Sequence, residues 1–328
     1  MAAVSEVPAP VDVGLILSYH CRAACGHCVY ACGPQWQEWM TPDDVAAAVQ
    51  VMRAWRHSFR VHLTGGEPFL RFDLLLAATQ MVAEAGLPQF VETSAGWARD
   101  HGDAQERLDA LRAAGMSGSP FHQETVPLRQ VLDVVAAALE VFGVNHVSVH
   151  LPQCLEWARP FRMDRPVPIS QYLGRLGAEH LGELLWQDYG LLSGGRAGRR
   201  WGHLAPKAPA AAFRRLTCRD ELCAPHHSHF DVYGNHIPGC CGGLTTGPWR
   251  ELNQARRHPP GGPLGGLVRR LADGGPYALL ELVADDPRWD PGADRYAGKC
   301  HLCVEVRRHL AEHGDFPELQ PRQFYQLL

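Results

Sequence analysis

The stretch Val13-Gly14-Leu15-Ile16-Leu17-Ser18 is followed, after two further residues, by Cys21-Arg22-Ala23-Ala24-Cys25-Gly26-His27-Cys28. The short apolar run predicts a buried strand, and the loop after it carries the spacing C-x3-C-x2-C. Three thiolates on one short loop can bind three irons of a cubane iron–sulfur cluster and leave the fourth iron without a protein ligand. The same three cysteines could instead be part of a zinc site, in which four ligands close a tetrahedron.

A second motif, Thr64-Gly65-Gly66-Glu67-Pro68, follows another apolar run, FRVHLT at residues 59–64. Two adjacent glycines let the backbone turn close against a ligand, which a Cβ atom would prevent. The Glu67 carboxylate and nearby carbonyl groups can then accept hydrogen bonds from an ammonium group. Because each motif follows a predicted strand, the pair resembles the CxxxCxxC and GGEP signatures of the radical S-adenosylmethionine (SAM) superfamily.

This resemblance implies a partial (βα)6 TIM-like barrel over roughly residues 10–195, in which a [4Fe-4S] cluster is bound by Cys21, Cys25 and Cys28. The open iron would bind the amino and carboxylate groups of SAM. An electron from the reduced cluster, delivered by a flavodoxin- or ferredoxin-type donor, would cleave SAM to methionine and a 5′-deoxyadenosyl radical. That radical would abstract hydrogen from the substrate.

The resemblance also assigns residues to SAM itself. Gly65, Gly66 and Glu67 would contact the methionyl amino group. Ser94, within Thr93-Ser94-Ala95-Gly96 after a later strand, would bind the ribose. His27 occupies a position at which many members carry an aromatic residue, and histidine is used there as well.

The first half of the chain alternates predicted strands with predicted helices, which is typical of a parallel sheet and places the protein in the α/β class. The predicted strands are residues 13–18, 59–64, 89–93, 116–119 and 146–151, and the predicted helices are residues 41–55, 73–85, 103–114, 126–142 and 171–189. Helix ends are predicted at Gly86, Gly115 and Gly143. The segment 193–200 (SGGRAGRR) is interpreted as a surface connection. We therefore expect a radical SAM barrel of residues 1–200 and a small Cys-rich α+β extension of residues 201–328.

Six further cysteines lie in that C-terminal part: Cys218, Cys223, Cys240, Cys241, Cys300 and Cys303. The turn Tyr233-Gly234-Asn235 predicts a hairpin, which would bring together cysteines before and after it. The pattern partly resembles the SPASM/Twitch extension of radical SAM enzymes, which holds an auxiliary iron–sulfur cluster. On that resemblance we expect an auxiliary [4Fe-4S] cluster, and a structural zinc ribbon is the alternative. Its expected ligands are Cys223, Cys300, Cys303 and one of Cys240 and Cys241, with Cys218 as a substitute.

Three histidines in the same region, His226, His227 and His229, have the spacing of a metal-binding tract. Because cysteines are plentiful nearby, surface positions or supporting positions around a cluster are the favoured interpretation.

Candidate substrate contacts follow from the expected barrel, since active sites of βα-barrels form at the carboxyl ends of the strands. The segment SPFHQE at residues 119–124 follows a predicted strand, so His122 and Glu124 are candidates for proton transfer. Glu124 could instead cap the following helix. Tyr30, just after the cysteine triad, is a candidate for the adenine pocket, and core packing explains it nearly as well.

Composition limits the remaining choices. The chain has 31 Lys and Arg against 35 Asp and Glu, a formal net charge of −4, which argues against a nucleic-acid binder. No apolar run approaches the roughly 18 residues of a membrane helix, so a cytoplasmic protein is expected. In a reducing cytoplasm, clustered cysteines more often bind metal than form disulfides.

Two functions of different classes follow. The leading hypothesis is a radical SAM enzyme that abstracts hydrogen from a small natural-product intermediate or a peptide, with an auxiliary cluster that aids oxidation or substrate binding. The alternative is a non-catalytic iron–sulfur or zinc-binding sensor or scaffold with a radical SAM-like barrel.

Overall fold

The computed structural model describes residues 5–7, 10–55, 59–111, 114–117, 120–150, 153–223, 226–252, 256–258, 266–290 and 295–328. In these residues the strands form one seven-stranded sheet and one two-stranded sheet. The strands are β1 (Ser5–Val7), β2 (Asp12–Ile16), β3 (Arg60–Thr64), β4 (Gln89–Thr93), β5 (Ala114–Ser117), β6 (Val147–His150), β7 (His227–Asp231), β8 (His236–Pro238) and β9 (Arg256–His258).

The large sheet has the strand order β6-β5-β4-β3-β2-β7-β8. The first six of these strands run parallel, and β8 pairs antiparallel with β7 at the edge. All five strands predicted in the first half of the chain occur, as β2 to β6, with small shifts at their ends. The α/β class with a mainly parallel, TIM-like sheet is therefore confirmed.

The sixth parallel strand comes from the Cys-rich part of the chain. Strand β7 pairs with β2, so that Ile16 is level with Thr64 on one side and with Asp231 on the other. The predicted hairpin is confirmed, because β7 and β8 are antiparallel and Gly234 between them has a φ of +89°. The sheet thus continues across the predicted division at residue 200, and the cysteines after β8 lie close to the barrel.

Most predicted helices occur, and one of them is divided. The helices are α1 (Pro42–Arg53), α2 (Phe72–Glu84), α3 (His101–Asp109), α4 (Pro120–Gln123), α5 (Leu128–Phe142), α6 (Gln153–Ala158), α7 (Ile169–Leu176), α8 (Ala178–Glu183), α9 (Ala197–Trp201), α10 (Arg219–Cys223), α11 (Gly266–Leu280), α12 (Lys299–His313) and α13 (Gln323–Gln326). The predicted helix 171–189 is interrupted at Gly177, whose φ is +77°. The helix end predicted at Gly115 is wrong, since α3 ends earlier and Gly115 lies within β5.

Helix α1 begins with a reciprocal cap. The Thr41 side chain accepts a hydrogen bond from the Asp44 N–H at 3.1 Å, and the Asp44 carboxylate accepts one from the Thr41 N–H at 2.9 Å. None of the helices in the described residues is both long and apolar enough to pass through a membrane.

The interpretation of residues 193–200 as a surface connection is wrong, because residues 194–198 are buried. A Cβ atom on Gly195 would lie 2.3 Å from the Cys28 carbonyl oxygen, so the segment packs directly against the loop that carries the cysteine triad. Glycine permits this close approach, and the polar groups of the segment find partners inside the protein rather than in water.

Candidate active site

A cavity of about 620 Å³ opens at the carboxyl edge of the parallel strands. Successive side chains of a strand point to opposite faces of the sheet. Val61 and Leu63 of β3 therefore pack into the apolar core, whereas His62 and Thr64 line the cavity. The fold brings to this one place many of the residues singled out from the sequence. Those that line it are Cys21, Cys25, His27, Cys28, Tyr30, Gly65, Gly66, Ser94, His122, His227, His229 and Cys240.

The cysteine triad lies on a tight loop after β2. The Cys28 N–H donates to the Cys25 carbonyl at 3.2 Å, and the Cys32 N–H donates to the Cys28 Sγ at 3.3 Å. Burial raises the pKa of Cys21 to about 12. A hydrogen bond from the Cys32 thiol lowers the pKa of Cys28 to about 6. Because its pKa is lowered and that of Cys21 is raised, Cys28 loses its proton more readily than Cys21. This matters because cysteine binds metal as the thiolate.

A buried arginine that sequence reasoning missed holds this loop in place. Arg196 is 3% exposed, and its Nε donates to the Cys25 carbonyl at 3.0 Å while its Nη2 donates to the Cys32 carbonyl. Its backbone N–H donates to the Cys28 carbonyl at 3.2 Å. Burial raises the pKa of Cys25, and the positive charge of Arg196 opposes that rise. The sequence signal was two glycines before an arginine, a pattern that also occurs in exposed loops.

Gly65 and Gly66 bring the turn after β3 against the backbone that leads into the triad. The Gly66 N–H donates to the Ser18 carbonyl at 2.8 Å, and the Glu67 N–H donates to the His20 carbonyl at 2.9 Å. A Cβ atom would lie 2.3 Å from the Ser18 oxygen at Gly65 and 1.9 Å from the His20 oxygen at Gly66. The two motifs therefore require glycine at both positions for their contact with each other.

Glu67 is buried, and its carboxylate accepts hydrogen bonds from the end of β4. The Thr93 hydroxyl donates to Oε1 and Oε2 at 2.8 and 2.9 Å, and the Ser94 hydroxyl and N–H donate to Oε2 at 2.6 and 2.9 Å. Burial raises the pKa of Glu67, while these hydrogen bonds lower it. Glu67 thus positions Ser94, which lines the cavity. The contacts of Glu67 with a SAM amino group and of Ser94 with a ribose stay predictions.

His122 lines the cavity beside His27, with the two ring centroids 4.8 Å apart. His27 also stacks on Phe121 at 4.6 Å, and its Nδ1 is buried with no hydrogen-bond partner in the described part of the chain. Burial lowers the pKa of His122 to about 4, so its imidazole is neutral at neutral pH. In that form it can accept a proton from a bound molecule.

The other candidates near His122 have different surroundings. Glu124 is not among the residues that line the cavity, and its Oε1 accepts a hydrogen bond from the Ile169 N–H at 3.5 Å. The next helix, α5, has no side-chain cap, so the capping interpretation of Glu124 is wrong. The Tyr30 hydroxyl lies 2.9 Å from the Nδ1 of His229. The catalytic roles of His122 and Glu124 and the adenine contact of Tyr30 stay predictions.

The C-terminal cysteines occupy two places. Cys240 lines the cavity of the barrel. Its neighbour Cys241 has a raised pKa, first because it is buried and then because of the negative charges of Cys300, Cys303 and Cys218. Burial and the charges of Cys303 and Cys300 likewise raise the pKa of Cys218 to about 12. Four thiols are therefore close enough to interact: Cys218, Cys241, Cys300 and Cys303.

Cys223, a member of the ligand set favoured from the sequence, is buried in the same C-terminal apolar cluster as Cys218 and Cys303. The side chain of Cys154 lies outside the described residues.

A second buried arginine accompanies this group of thiols. Arg307 is 3% exposed, and its Nη1 donates to the Gly242 carbonyl and to the Tyr325 hydroxyl, both at 3.0 Å. The pKa of Arg307 is raised overall. Burial lowers it, but the stronger opposing effect of nearby Tyr325, Cys303 and Cys241 raises it. A permanent positive charge at this position favours thiolates, as Arg196 does at the triad.

The donor set at the triad fits a cubane iron–sulfur cluster. Three thiols from one loop line the same cavity as the backbone of Gly65 and Gly66. Three thiolates leave one iron of such a cluster open to a ligand in that cavity. The ring of His27, whose buried Nδ1 has no hydrogen-bond partner among the described residues, lines the same cavity.

Comparison with known proteins agrees with this site. Residues 15–142 match the family model of the radical SAM superfamily, and this range contains both the cysteine triad and the Gly65-Gly66-Glu67 motif. Over residues 15–142 the chain is therefore similar to a radical SAM domain.

Two curated relatives are similar to parts of the chain. A GTP 3′,8-cyclase of Synechococcus elongatus is 29% identical over 172 residues, which are 47% of this chain and 52% of that protein. A PqqA peptide cyclase of Ruegeria pomeroyi is 35% identical over 117 residues, 34% of this chain and 28% of that protein. The chain thus spans about half the length of the first relative and less of the second.

Solved structures of similar shape include two with bound SAM. BtrN in complex with AdoMet and 2-DOIA has a TM-score of 0.45 at 12% identity, covering 82% of this chain and 90% of that one. Native anSMEcpe with AdoMet and a Cp18Cys peptide has a TM-score of 0.46 at 11% identity, covering 97% of this chain and 94% of that one.

Proposed function

We propose that this protein is a radical SAM enzyme that cleaves SAM reductively and abstracts hydrogen from an organic substrate. The observation that carries the proposal is the meeting of the triad and the glycine pair in one cavity at the carboxyl edge of a parallel sheet. A [4Fe-4S] cluster held by Cys21, Cys25 and Cys28 would supply the electron for cleavage, and a flavodoxin- or ferredoxin-type protein would supply it to the cluster.

The chain's own residues prepare this site. Arg196 fixes the carbonyl groups of the triad loop, and the contact of Gly66 with Ser18 sets the distance between the two motifs. Neutral His122, which lines the cavity, would accept a proton from a bound molecule. Burial raises the pKa of Tyr30, so its phenol stays protonated and can donate a hydrogen bond.

We propose a small natural-product intermediate or a peptide as the substrate class. A cavity of about 620 Å³ is in the usual range for small-molecule sites. It is open on one side, which also suits a peptide whose reacting side chain enters from outside.

We further propose an auxiliary [4Fe-4S] cluster on Cys218, Cys241, Cys300 and Cys303. The mutual electrostatic effects of these thiols support the choice. Buried Arg307 would offset part of the negative charge of four thiolates. Near the barrel, such a cluster could take an electron from a substrate radical or bind the substrate directly.

The primary test measures 5′-deoxyadenosine after anaerobic reconstitution with iron and sulfide, addition of SAM and reduction. We expect the wild-type chain to form it and Cys28→Ala to form none. Cys223→Ala is the matched control, because Cys223 is a buried cysteine in the C-terminal apolar cluster and not in the triad loop, and it should retain most of the cleavage. No 5′-deoxyadenosine from a wild-type chain with a full cluster would favour the non-catalytic sensor or scaffold.

The auxiliary site is tested by iron and sulfide counts per chain. Cys218 and Cys223 are both buried cysteines with 8% exposure, so they make a matched pair. Cys218→Ala should lower the iron content by up to about four atoms per chain, the content of one cubane cluster, while Cys223→Ala should not. Equal losses in both variants would return Cys223 to the ligand set, and unchanged iron in a Cys303→Ala variant would exclude an auxiliary iron–sulfur cluster.

A further inference from the structure

Three histidines come together inside the barrel, on the two strands that flank β2. His62 of β3 and His229 of β7 are both level with Gly14 of β2, and His227 begins β7. All three side chains line the cavity. His227 lies at the amino end of its strand and the other two lie at the middle of theirs, whereas the cysteine triad follows the carboxyl end of β2.

The ring nitrogens of these histidines have the spacing of ligands to a single metal ion. The Nε2 of His229 is 3.3 Å from the Nε2 of His62 and 3.2 Å from the Nε2 of His227. Two nitrogens bound to a tetrahedral zinc at about 2.1 Å would be about 3.4 Å apart. Among the described residues, no other group of three His, Cys, Asp or Glu side chains gathers closely enough to share one metal ion.

A hydrogen bond fixes the tautomer of one of the rings. The Nδ1 of His62 is 2.8 Å from the Asp12 carboxylate, which only accepts, so this Nδ1 donates and the Nε2 of the neutral ring presents its lone pair. The Nδ1 of His229 is 2.9 Å from the Tyr30 hydroxyl, which can donate or accept, and 3.2 Å from the Gly239 carbonyl. In the His229 tautomer that carries its proton on Nδ1, the two Nε2 atoms present lone pairs to each other, and a cation between them satisfies both.

The surroundings are those of a supported metal site. A carboxylate that accepts from a ligand histidine orients its ring and increases its basicity, which is the relation of Asp12 to His62. Asp12 is itself held by Arg60, with 2.6 Å between the Oδ2 and the Nη2. A Cβ atom on Gly14 would lie 2.2 Å from the Cδ2 of His229 and 2.4 Å from the Nε2 of His62, so only glycine leaves room for both rings.

We propose that His62, His227 and His229 bind a divalent transition-metal ion, separate from the iron–sulfur sites, whose fourth position opens into the barrel cavity. Three imidazoles suit zinc, iron, nickel or copper, and an open fourth position takes water or a donor atom of a substrate. The rings of His62 and His227 lie parallel, with centroids 4.8 Å apart. The metal-binding lone pair of an imidazole lies in the plane of its ring, so two parallel stacked rings cannot both point at one ion. The ring of His227, which is half-buried, must therefore turn when metal binds.

The proposal does not depend on SAM cleavage, since no ligand of this ion belongs to the triad. It differs from the expectation that His227 and His229 are surface or supporting residues, of which only the surface position of His229 is contradicted, because His229 is buried. The sequence could not reveal the third ligand, because His62 lies 165 positions before His227 and meets it only through the pairing of both strands with β2.

Cobalt(II) is the probe, because its d–d bands report coordination geometry and its sulfur charge-transfer bands reveal cysteine ligands. The full chain is first loaded with iron and sulfide, so that the cysteines are occupied, and then titrated anaerobically. We expect one cobalt per chain, with d–d bands and without sulfur charge transfer. Zinc competition then gives the zinc affinity.

The variants separate ligands from neighbours. His227→Gln and His229→Gln should each weaken cobalt binding by at least tenfold, and Asp12→Asn should weaken it by roughly 10- to 100-fold. His226→Ala is the matched control, because His226 is exposed and adjacent to His227, and it should bind as the wild-type chain does.

His227→Gln is the variant least disturbing to folding, since the His227 side chain is 35% exposed, and circular dichroism checks each variant. No cobalt beyond that bound by cysteine, or equal binding by His227→Gln and His226→Ala, would overturn the proposal and leave a proton-sharing histidine network. Because iron content and 5′-deoxyadenosine are measured separately, failure here is distinguishable from failure of the SAM activity.

Discussion

Arg196 provides a demanding test of how the cluster-binding loop is built. Its guanidinium donates two hydrogen bonds to the carbonyl groups of Cys25 and Cys32, and the side chain is almost completely buried. Hydrogen bonds that involve a charged group contribute about 1.5–3 kcal/mol each, and a buried carbonyl left without its partner is costly. Arg196→Ala should therefore lower the free energy of unfolding by about 3 kcal/mol or more.

Two further variants separate the contributions of geometry and charge. Arg196→Lys keeps the charge but loses the planar fork that reaches both carbonyls, so about half of the loss is expected. Arg200→Ala, in the same short helix α9 but exposed, should change the free energy of unfolding by no more than about 0.5 kcal/mol.

The assay is urea unfolding of the iron-free chain, followed by iron content after reconstitution. We expect Arg196→Ala to lose stability and to retain less iron at the triad, because the loop is less ordered and the charge that favours thiolates is gone. If Arg196→Ala matched Arg200→Ala in both measurements, the role assigned to the buried guanidinium would be refuted.

Two other changes test the site from different directions. Gly65→Ala should abolish most SAM cleavage and should destabilise the fold by more than Gly86→Ala does. Both glycines have a positive φ, but only at Gly65 would a Cβ atom meet the backbone, 2.3 Å from the Ser18 oxygen. Equal effects of the two substitutions in urea unfolding would contradict this. Burial lowers the pKa of His122 to about 4, so its contribution to stability is complete above about pH 6.5 and is lost as the pH falls towards 4. Between pH 6.5 and pH 4 the free energy of unfolding should fall further for the wild-type chain than for His122→Gln, and the difference between the two falls should be at most about 3 kcal/mol. Parallel pH profiles of the two chains would show that His122 titrates normally.

The local elements of the first half of the chain were predictable because their signals are local. The apolar run before the triad forms β2, and the Thr41 cap with Pro42 begins α1 as its residue types require. The exceptions have local causes too. Gly177 divides a predicted helix because its positive φ interrupts the helical backbone, and residues 193–200 look polar although Arg196 satisfies its charge inside the protein.

The candidate site was only partly predictable for a related reason. The triad and the glycine pair are each contiguous in sequence, so their chemistry could be recognised from spacing alone. Arg196 lies 171 positions from Cys25, and its contact depends on the return of the chain to the first loop. Glu67 was expected to face a ligand. In the structure its carboxylate accepts hydrogen bonds from Thr93 and Ser94 at the end of the next strand.

The sequence by itself determined the α/β alternation, the cysteine triad and the glycine pair, because strand periodicity and motif spacing are properties of neighbouring residues. Only the tertiary structure decided which distant groups share the cavity. Strand β7 could have paired at either edge of the sheet, and its pairing with β2 sets His229 beside His62 around Gly14. Such contacts depend on the order and register of the strands. Backbone hydrogen bonds and core packing together fix that order and register, and no local sequence pattern encodes them.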